Sequence, residues 1–178
     1  MKEMIFAGFG GQGVLTIGLI IAEIAAARGR QVTWLPSYGS AMRGGTANCT
    51  VKYGDGFIDN PAPDEPDVLL ALNPASFEMF SGQVVSGGLI LVDSEMVDPV
   101  AGGPTGRRVV GVPAGALAES IGHKKGANIV MVGALVKLMA DFSEAEAIEG
   151  MNGMFARKGK NAYADLNAKA FKAGYGAV

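Results

Sequence analysis

The chain has 178 residues, and its 15 Lys plus Arg against 17 Asp plus Glu leave a formal net charge of -2, nearly neutral, which gives little reason to expect nucleic acid. One cysteine, Cys49, and one histidine, His123, exclude an internal disulfide, a cysteine-ligated iron-sulfur cluster and a Cys/His zinc site within these residues. The length predicts a single domain over residues 1–178, and the cysteine usage predicts a reducing, cytoplasmic setting.

The opening Met1-Lys2-Glu3 leads straight into an apolar run, Glu3 to Ala7, that ends in a glycine loop, so no secretory signal is expected. The next segment, Val14 to Arg28, is rich in Ala, Leu and Ile, with Gly29 placed as a helix C-cap. Gln31 to Leu35 reads as a second strand that stops at Pro36 and runs parallel to the first, giving a βαβ start. Thr46 to Tyr53 alternates apolar and polar residues as a half-buried strand does. Gly54-Asp55-Gly56 then predicts a tight hairpin into Phe57-Ile58.

Asp67 to Leu72 and Leu89 to Val92 are continuous apolar runs suited to strands buried on both faces, with a short helix near Ala75 to Phe80 between them. Glu95 to Arg107, rich in Pro and Gly, predicts a mobile surface loop before a further strand at Arg108 to Val112. Helices are expected over Ala114 to Ile121 and Asn128 to Ala140. A third is announced by the capping-box pair Ser143 and Glu146, with a buried stripe at Ile148, Met151 and Phe155. The last should run from about Asn161 to Ala173 and end at Gly174. Gly13 to Ala27 and Ile129 to Ala140 fall short of the roughly 20 apolar residues a bilayer requires, and Glu23 and Lys137 interrupt them, so no membrane association is expected. The fold class is α/β, a three-layer α/β/α arrangement with a Rossmann-like βαβ start and a mostly parallel mixed sheet carrying one antiparallel hairpin.

Two stretches carry chemistry. Gly8-Phe9-Gly10-Gly11-Gln12-Gly13 matches G-x-G-x-x-G between a strand and a helix, where glycines let the backbone approach a ligand and the helix start offers free N–H groups to an anion. A dinucleotide reading also needs an acidic residue about twenty positions on to bind ribose hydroxyls. Thr33-Trp34-Leu35-Pro36-Ser37 has none, which argues against NAD or FAD. The second stretch, Pro36 to Thr46, leaves the end of the second strand with the hydroxyls of Ser37, Tyr38 and Thr46, the glycines Gly39, Gly44 and Gly45, and the guanidinium of Arg43. It suits a carboxylate or phosphate.

Gly8 to Val14, then Ser37-Tyr38-Gly39, then Met42-Arg43-Gly44-Gly45-Thr46-Ala47-Asn48, strongly resemble the gamma subunit of 2-oxoacid:ferredoxin oxidoreductases, above all the 2-oxoglutarate member. The likeness spans about the whole chain, continuing through Asn60-Pro61, Asn128 to Gly133, Asn167, Ala170-Phe171 and Gly174. One departure is Ser40-Ala41 where the family often has Pro-Glu. The resemblance implies oxidative decarboxylation of a 2-oxoacid on thiamine diphosphate, acyl transfer to coenzyme A and electron transfer to ferredoxin. It also implies alpha, beta and ferredoxin-like delta partner subunits that carry the thiamine diphosphate, magnesium and iron-sulfur clusters. The expected contribution of this chain is a binding site, with coenzyme A as the candidate ligand, at Gly8, Gly10, Gly11, Gln12, Gly13, Ser37, Tyr38, Gly39, Arg43, Gly44, Gly45, Thr46 and Asn48. No catalytic residue or metal ligand is assigned.

The competing readings are an indolepyruvate or branched-chain 2-oxoacid enzyme, a non-catalytic assembly module, and a free-standing nucleotide-dependent oxidoreductase. Gly54-Asp55-Gly56 spells the opening of the thiamine diphosphate motif, yet its place between strands makes it a turn. Cys49 falls on the apolar face of its strand as a buried thiol. Arg107-Arg108 and His123-Lys124-Lys125 are basic clusters that could approach acyl-carrier phosphates or serve only as solvated charge.

Overall fold

The computed structural model describes residues 1–38, 45–100 and 103–178, with the Tyr38 side chain also undescribed. Six strands, β1 (Lys2–Phe9), β2 (Gln31–Tyr38), β3 (Thr46–Gly54), β4 (Val68–Ala71), β5 (Leu89–Asp93) and β6 (Arg108–Val112), form one sheet in the order β2-β3-β1-β4-β5-β6. Among the described residues six α-helices accompany them: α1 (Val14–Ala27), α2 (Pro74–Phe80), α3 (Ala114–Ser120), α4 (Ala127–Met139), α5 (Glu144–Arg157) and α6 (Ala164–Tyr175). The sheet is mixed and mostly parallel, as expected. β1, β4, β5 and β6 pair in parallel, and β3 alone runs antiparallel, to β1 on one side and β2 on the other.

The antiparallel partner of β3 that neighbours it in the chain is therefore β2, and not Phe57-Ile58, which is irregular. No strand follows Gly54-Asp55-Gly56 because β3 already pairs with β1 on one edge and with β2 on the other, which leaves no edge free for Phe57-Ile58. β2 does run parallel to β1, but β3 lies between them. β2 also continues through Pro36, which an edge strand tolerates.

Apolar alternation divides the interior in two. Met4, Phe6, Cys49, Val51, Leu70, Leu91 and Val112 face a large core shared with α1 and α4, whose residues are mostly buried, and with α3, α5 and α6. Ile5, Ala7, Leu69, Ala71, Ile90 and Val92 face a smaller core closed by Phe77 of α2, Val84 and Val97. β4 feeds both cores, which accounts for its unbroken apolar sequence. Glu95 to Pro99 packs instead of standing off as a mobile loop: Val97 is buried, and the Glu95 carboxylate accepts the Ala116 N–H at 2.9 Å at the start of α3.

The third layer is thin over β2 and β3. There Lys52 is only 2% exposed, with its ammonium 3.0 Å from the Glu3 carboxylate and 3.3 Å from Asp64. Glu3 also accepts the N–H groups of Asp64 at 2.9 Å and Glu65 at 3.2 Å, pinning that segment to the sheet. Burial pushes the Glu3 carboxyl up, but these N–H groups and Lys52 outweigh it and hold it below the usual glutamate range. A folded pKa below the unfolded one adds stability above the unfolded value that is lost as pH falls through the folded value. Between about pH 6 and about pH 3.5 the urea midpoint of the native chain is expected to drop more than that of Glu3→Gln. Equal drops would show that this network does not contribute to acid sensitivity.

Candidate functional site

The carboxyl ends of the parallel strands meet the glycine loop at the point where the chain changes direction of winding: α1 leads from β1 toward β2, while α2 leads from β4 toward β5. Open α/β sheets bind ligands at such a point. The loop is shaped by Gly11 at φ +103° and Gly13 at φ +77°, conformations that L side chains rarely adopt. Gly13 is the N-cap of α1 without any side-chain cap, so first-turn N–H groups stay available to a ligand.

The two glycine stretches touch. Gly10 N–H donates to the Gly45 carbonyl at 2.9 Å, Gly8 pairs with Ala47, and Phe9 pairs with Thr46. Ser37 and Tyr38 lie opposite Asn48 and Ala47 in the β2–β3 ladder, so Ser37, Tyr38, Gly45, Thr46 and Asn48 share the same sheet edge as the loop. Gly39, Arg43 and Gly44 lie outside the described residues. Gly8 is buried where a Cβ would come 2.6 Å from Val14 Cγ2, so its requirement is close strand-helix packing. The Gln12 amide is committed within the protein. Its oxygen accepts from Phe9 N–H at 2.6 Å and from the Asn73 amide at 3.1 Å, and its nitrogen donates to the Leu72 carbonyl at 3.0 Å. Gln12 thus ties the loop to the end of β4 and to Asn73, which caps α2.

Beside the loop opens a cleft of about 480 Å³. Gly11, Gln12 and Gly13 form one wall, Leu72 and Asp93 come from the ends of β4 and β5, and Lys124, Lys125, Ala127 and Asn128 come from the turn before α4 and its first residues. Lys124 also pairs with Glu119 at 2.7 Å. Two lysines, the uncapped N–H groups of α1 and Asn128 together make a setting that suits phosphates. Asp93 adds an acceptor for hydroxyl or amine donors. Burial pushes its carboxyl above the usual aspartate range, opposed by the N–H groups of Glu95 and Ala114.

Sequence reasoning placed Gly11, Gln12 and Gly13 here but not Asp93 or Asn128, and it left the lysine pair undecided. The available signal was that all of them lie at a strand end or at or just before the start of a helix. Arg107 does not join the site: its guanidinium donates to the carbonyls of Val84 at 2.8 Å and Thr105 at 3.0 Å. Cys49 is buried, and burial pushes its thiol up to about 12, so it is no nucleophile. Among the described residues no helix is long and apolar enough to cross a membrane, and no group of three or more His, Cys, Asp or Glu is placed to hold a metal ion.

The family model described as pyruvate ferredoxin/flavodoxin oxidoreductase matches residues 3–177. Subunit VorA of a ketoisovalerate oxidoreductase from Methanothermobacter thermautotrophicus is 41% identical over 94% of this chain, which spans 34% of that relative's length. Subunit KorC of a 2-oxoglutarate synthase from Archaeoglobus fulgidus is 31% identical, covering 95% of this chain and 83% of its own. Among solved structures, the gamma subunit of a keto/oxoacid ferredoxin oxidoreductase from Geobacter sulfurreducens superposes with a TM-score of 0.82 at 31% identity, covering 99% of this chain and 97% of its own. A 2-oxoglutarate:ferredoxin oxidoreductase from Magnetococcus marinus, solved with 2-oxoglutarate, coenzyme A and succinyl-CoA, shares the fold at a TM-score of 0.85 and 24% identity over 98% of this chain and 30% of its own. The resemblance read from the glycine motifs is thereby borne out: this chain belongs to the pyruvate ferredoxin/flavodoxin oxidoreductase family.

Proposed function

We propose that this chain is the gamma component of a thiamine-diphosphate-dependent 2-oxoacid:ferredoxin oxidoreductase, which decarboxylates a 2-oxoacid oxidatively to an acyl-CoA while reducing ferredoxin. The observation that carries this reading is the contact between the two glycine stretches at Gly10 and Gly45, beside a cleft bearing Lys124 and Lys125. Coenzyme A fits that chemistry better than a simple anion does. Lys124, Lys125 and the start of α1 would take its phosphates, and Asp93 would accept from its hydroxyl or amine groups.

The remaining expected ligand contacts belong to the same proposal. Gly10, Gly11 and Gly13 would give close backbone approach, with Gly8 holding the strand against α1 behind them, and Ser37, Tyr38, Gly39, Arg43, Gly44, Gly45, Thr46 and Asn48 would form the wall nearest the catalytic subunits. Thiamine diphosphate, magnesium and iron-sulfur clusters would reside on alpha, beta and delta partners in the cytoplasm. The single buried cysteine of this chain offers no set of thiolates for a cluster. Its own part would be to bind the acyl acceptor and orient it, with the chain acting as a single domain.

The substrate expected from the motifs is 2-oxoglutarate. A second reading, a branched-chain 2-oxoacid, is favoured by the higher identity to the ketoisovalerate relative. The test is a pull-down of the tagged chain, with the eluate assayed for viologen reduction that depends on both an oxoacid and coenzyme A. Partner subunits and such activity are expected, and the preferred oxoacid names the enzyme. A chain recovered alone and without activity overturns the reading.

A further inference from the structure

We propose that His123 and Asn167 act together as positioning residues for the Lys124–Lys125 arm of the cleft. This rests on the cleft being a phosphate site, as proposed above. His123 begins the turn between α3 and α4, and its backbone is held on both sides: its N–H donates to the Ala118 carbonyl at 2.8 Å, and its carbonyl accepts the Gly126 N–H at 2.7 Å. Its ring lies over Gly126, where a Cβ would overlap the ring carbon Cδ2, so glycine there leaves room for the ring in this position.

The third constraint comes from outside the turn. The His123 Nε2 meets the Asn167 Oδ1 at 3.2 Å, linking the turn to α6, 44 residues away in the chain. Asn167 is only 4% exposed and stands on the face of α6 that also buries Ala170, Phe171 and Gly174. A buried amide on an apolar face is costly unless it is bonded, and His123 supplies the bond. The two residues that follow His123 are the lysines of the cleft. Their side chains are long and mobile, with Lys124 76% exposed, so where their ammonium groups dwell depends on where their backbone is fixed. Fixing it in advance lowers the ordering cost of binding.

The test is titration of the full chain with inorganic pyrophosphate and with coenzyme A, well below its melting temperature so that only folded protein is read. Variants are His123→Ala, His123→Gln, Asn167→Leu, the His123→Ala/Asn167→Leu pair, and Lys124→Ala/Lys125→Ala. The lysine variant should bind at least about tenfold more weakly, and His123→Ala about three- to tenfold more weakly. His123→Gln should recover most of the affinity, because its amide reaches Asn167. Asn167→Leu should match His123→Ala, and the pair should be no weaker than either alone. Loss in the lysine variant with none in His123→Ala, or equal loss in His123→Ala and His123→Gln, overturns the positioning role and leaves the cleft reading standing. Unchanged binding in the lysine variant overturns both.

Discussion

Gly174→Ala and Gly133→Ala are each expected to lower stability by about 3 kcal/mol or more, among the largest losses from a single added methyl group at the described glycines. α4 and α6 cross so closely that a Cβ on Gly133 would overlap the Phe171 carbonyl oxygen, and one on Gly174 would overlap the Val130 carbonyl oxygen. Both obstacles are backbone atoms, so no rotamer change relieves them, and the helices would have to separate. Separation would open the core around Phe171, Val130 and Met131, all fully buried. For a domain of this size about 3 kcal/mol corresponds to a fall in melting temperature of roughly 6–12 °C. Gly153→Ala is the matched comparison. It sits on α5 with nothing nearer its added methyl than the Arg157 guanidinium at 3.6 Å, and it should gain about 0.5–1 kcal/mol from helix propensity. Urea unfolding of the three variants checks both signs. A neutral Gly174→Ala would mean that the two helices are not in backbone contact.

Gly174 also illustrates what a sequence carries and what it does not. A glycine near the end of a helical pattern reads as a C-cap, but α6 continues to Tyr175, and the constraint on Gly174 comes from α4, some forty residues earlier. Local features were legible for local reasons. Ser143 and Glu146 form the reciprocal capping box that their spacing announced, Gly29 takes φ +75° after α1, and the first strand, glycine loop and helix fall where the apolar runs put them. Strand order was not legible. β3 enters between β1 and β2 through register, and the alternation of Thr46 to Tyr53 reports one buried face without naming its neighbours. The buried stripe of α5 keeps Met151 as expected, while its flanking positions move by one residue, from Ile148 to Ala147 and from Phe155 to Met154, where Gly150 lets the helix lie against Ile24 of α1. The candidate site divides in the same way. Its glycine wall is a contiguous motif, whereas Asp93, Lys124, Lys125 and Asn128 converge only once four strand ends are aligned.

Gly13→Ala is expected to cost about 2–3 kcal/mol and to weaken coenzyme A binding by about tenfold or more, by two separable routes. The first is local: at φ +77° an alanine carries roughly 1–2 kcal/mol of strain that glycine does not. The second is across the cleft, where the added Cβ would stand 2.6 Å from the Asn128 Nδ2 and 3.0 Å from its Cγ. Asn128 lies in the first turn of α4, so displacing its amide alters both the start of that helix and the floor between the glycine loop and Lys125. The routes separate in a double-mutant cycle with Asn128→Ala, which removes the amide while leaving the strain at position 13 untouched. If the clash matters, Gly13→Ala costs about 1 kcal/mol less in the Asn128→Ala background than in the native chain, a coupling well above the usual error of such cycles. If instead the two costs add, the strained turn alone accounts for the loss of stability, and Asn128 is not held against the loop. Ligand affinity in the same four proteins then tells whether the start of α1 or the Asn128 amide carries the contact. Restored stability without restored binding assigns it to the amide, and recovery of both assigns it to the uncapped N–H groups that follow Gly13.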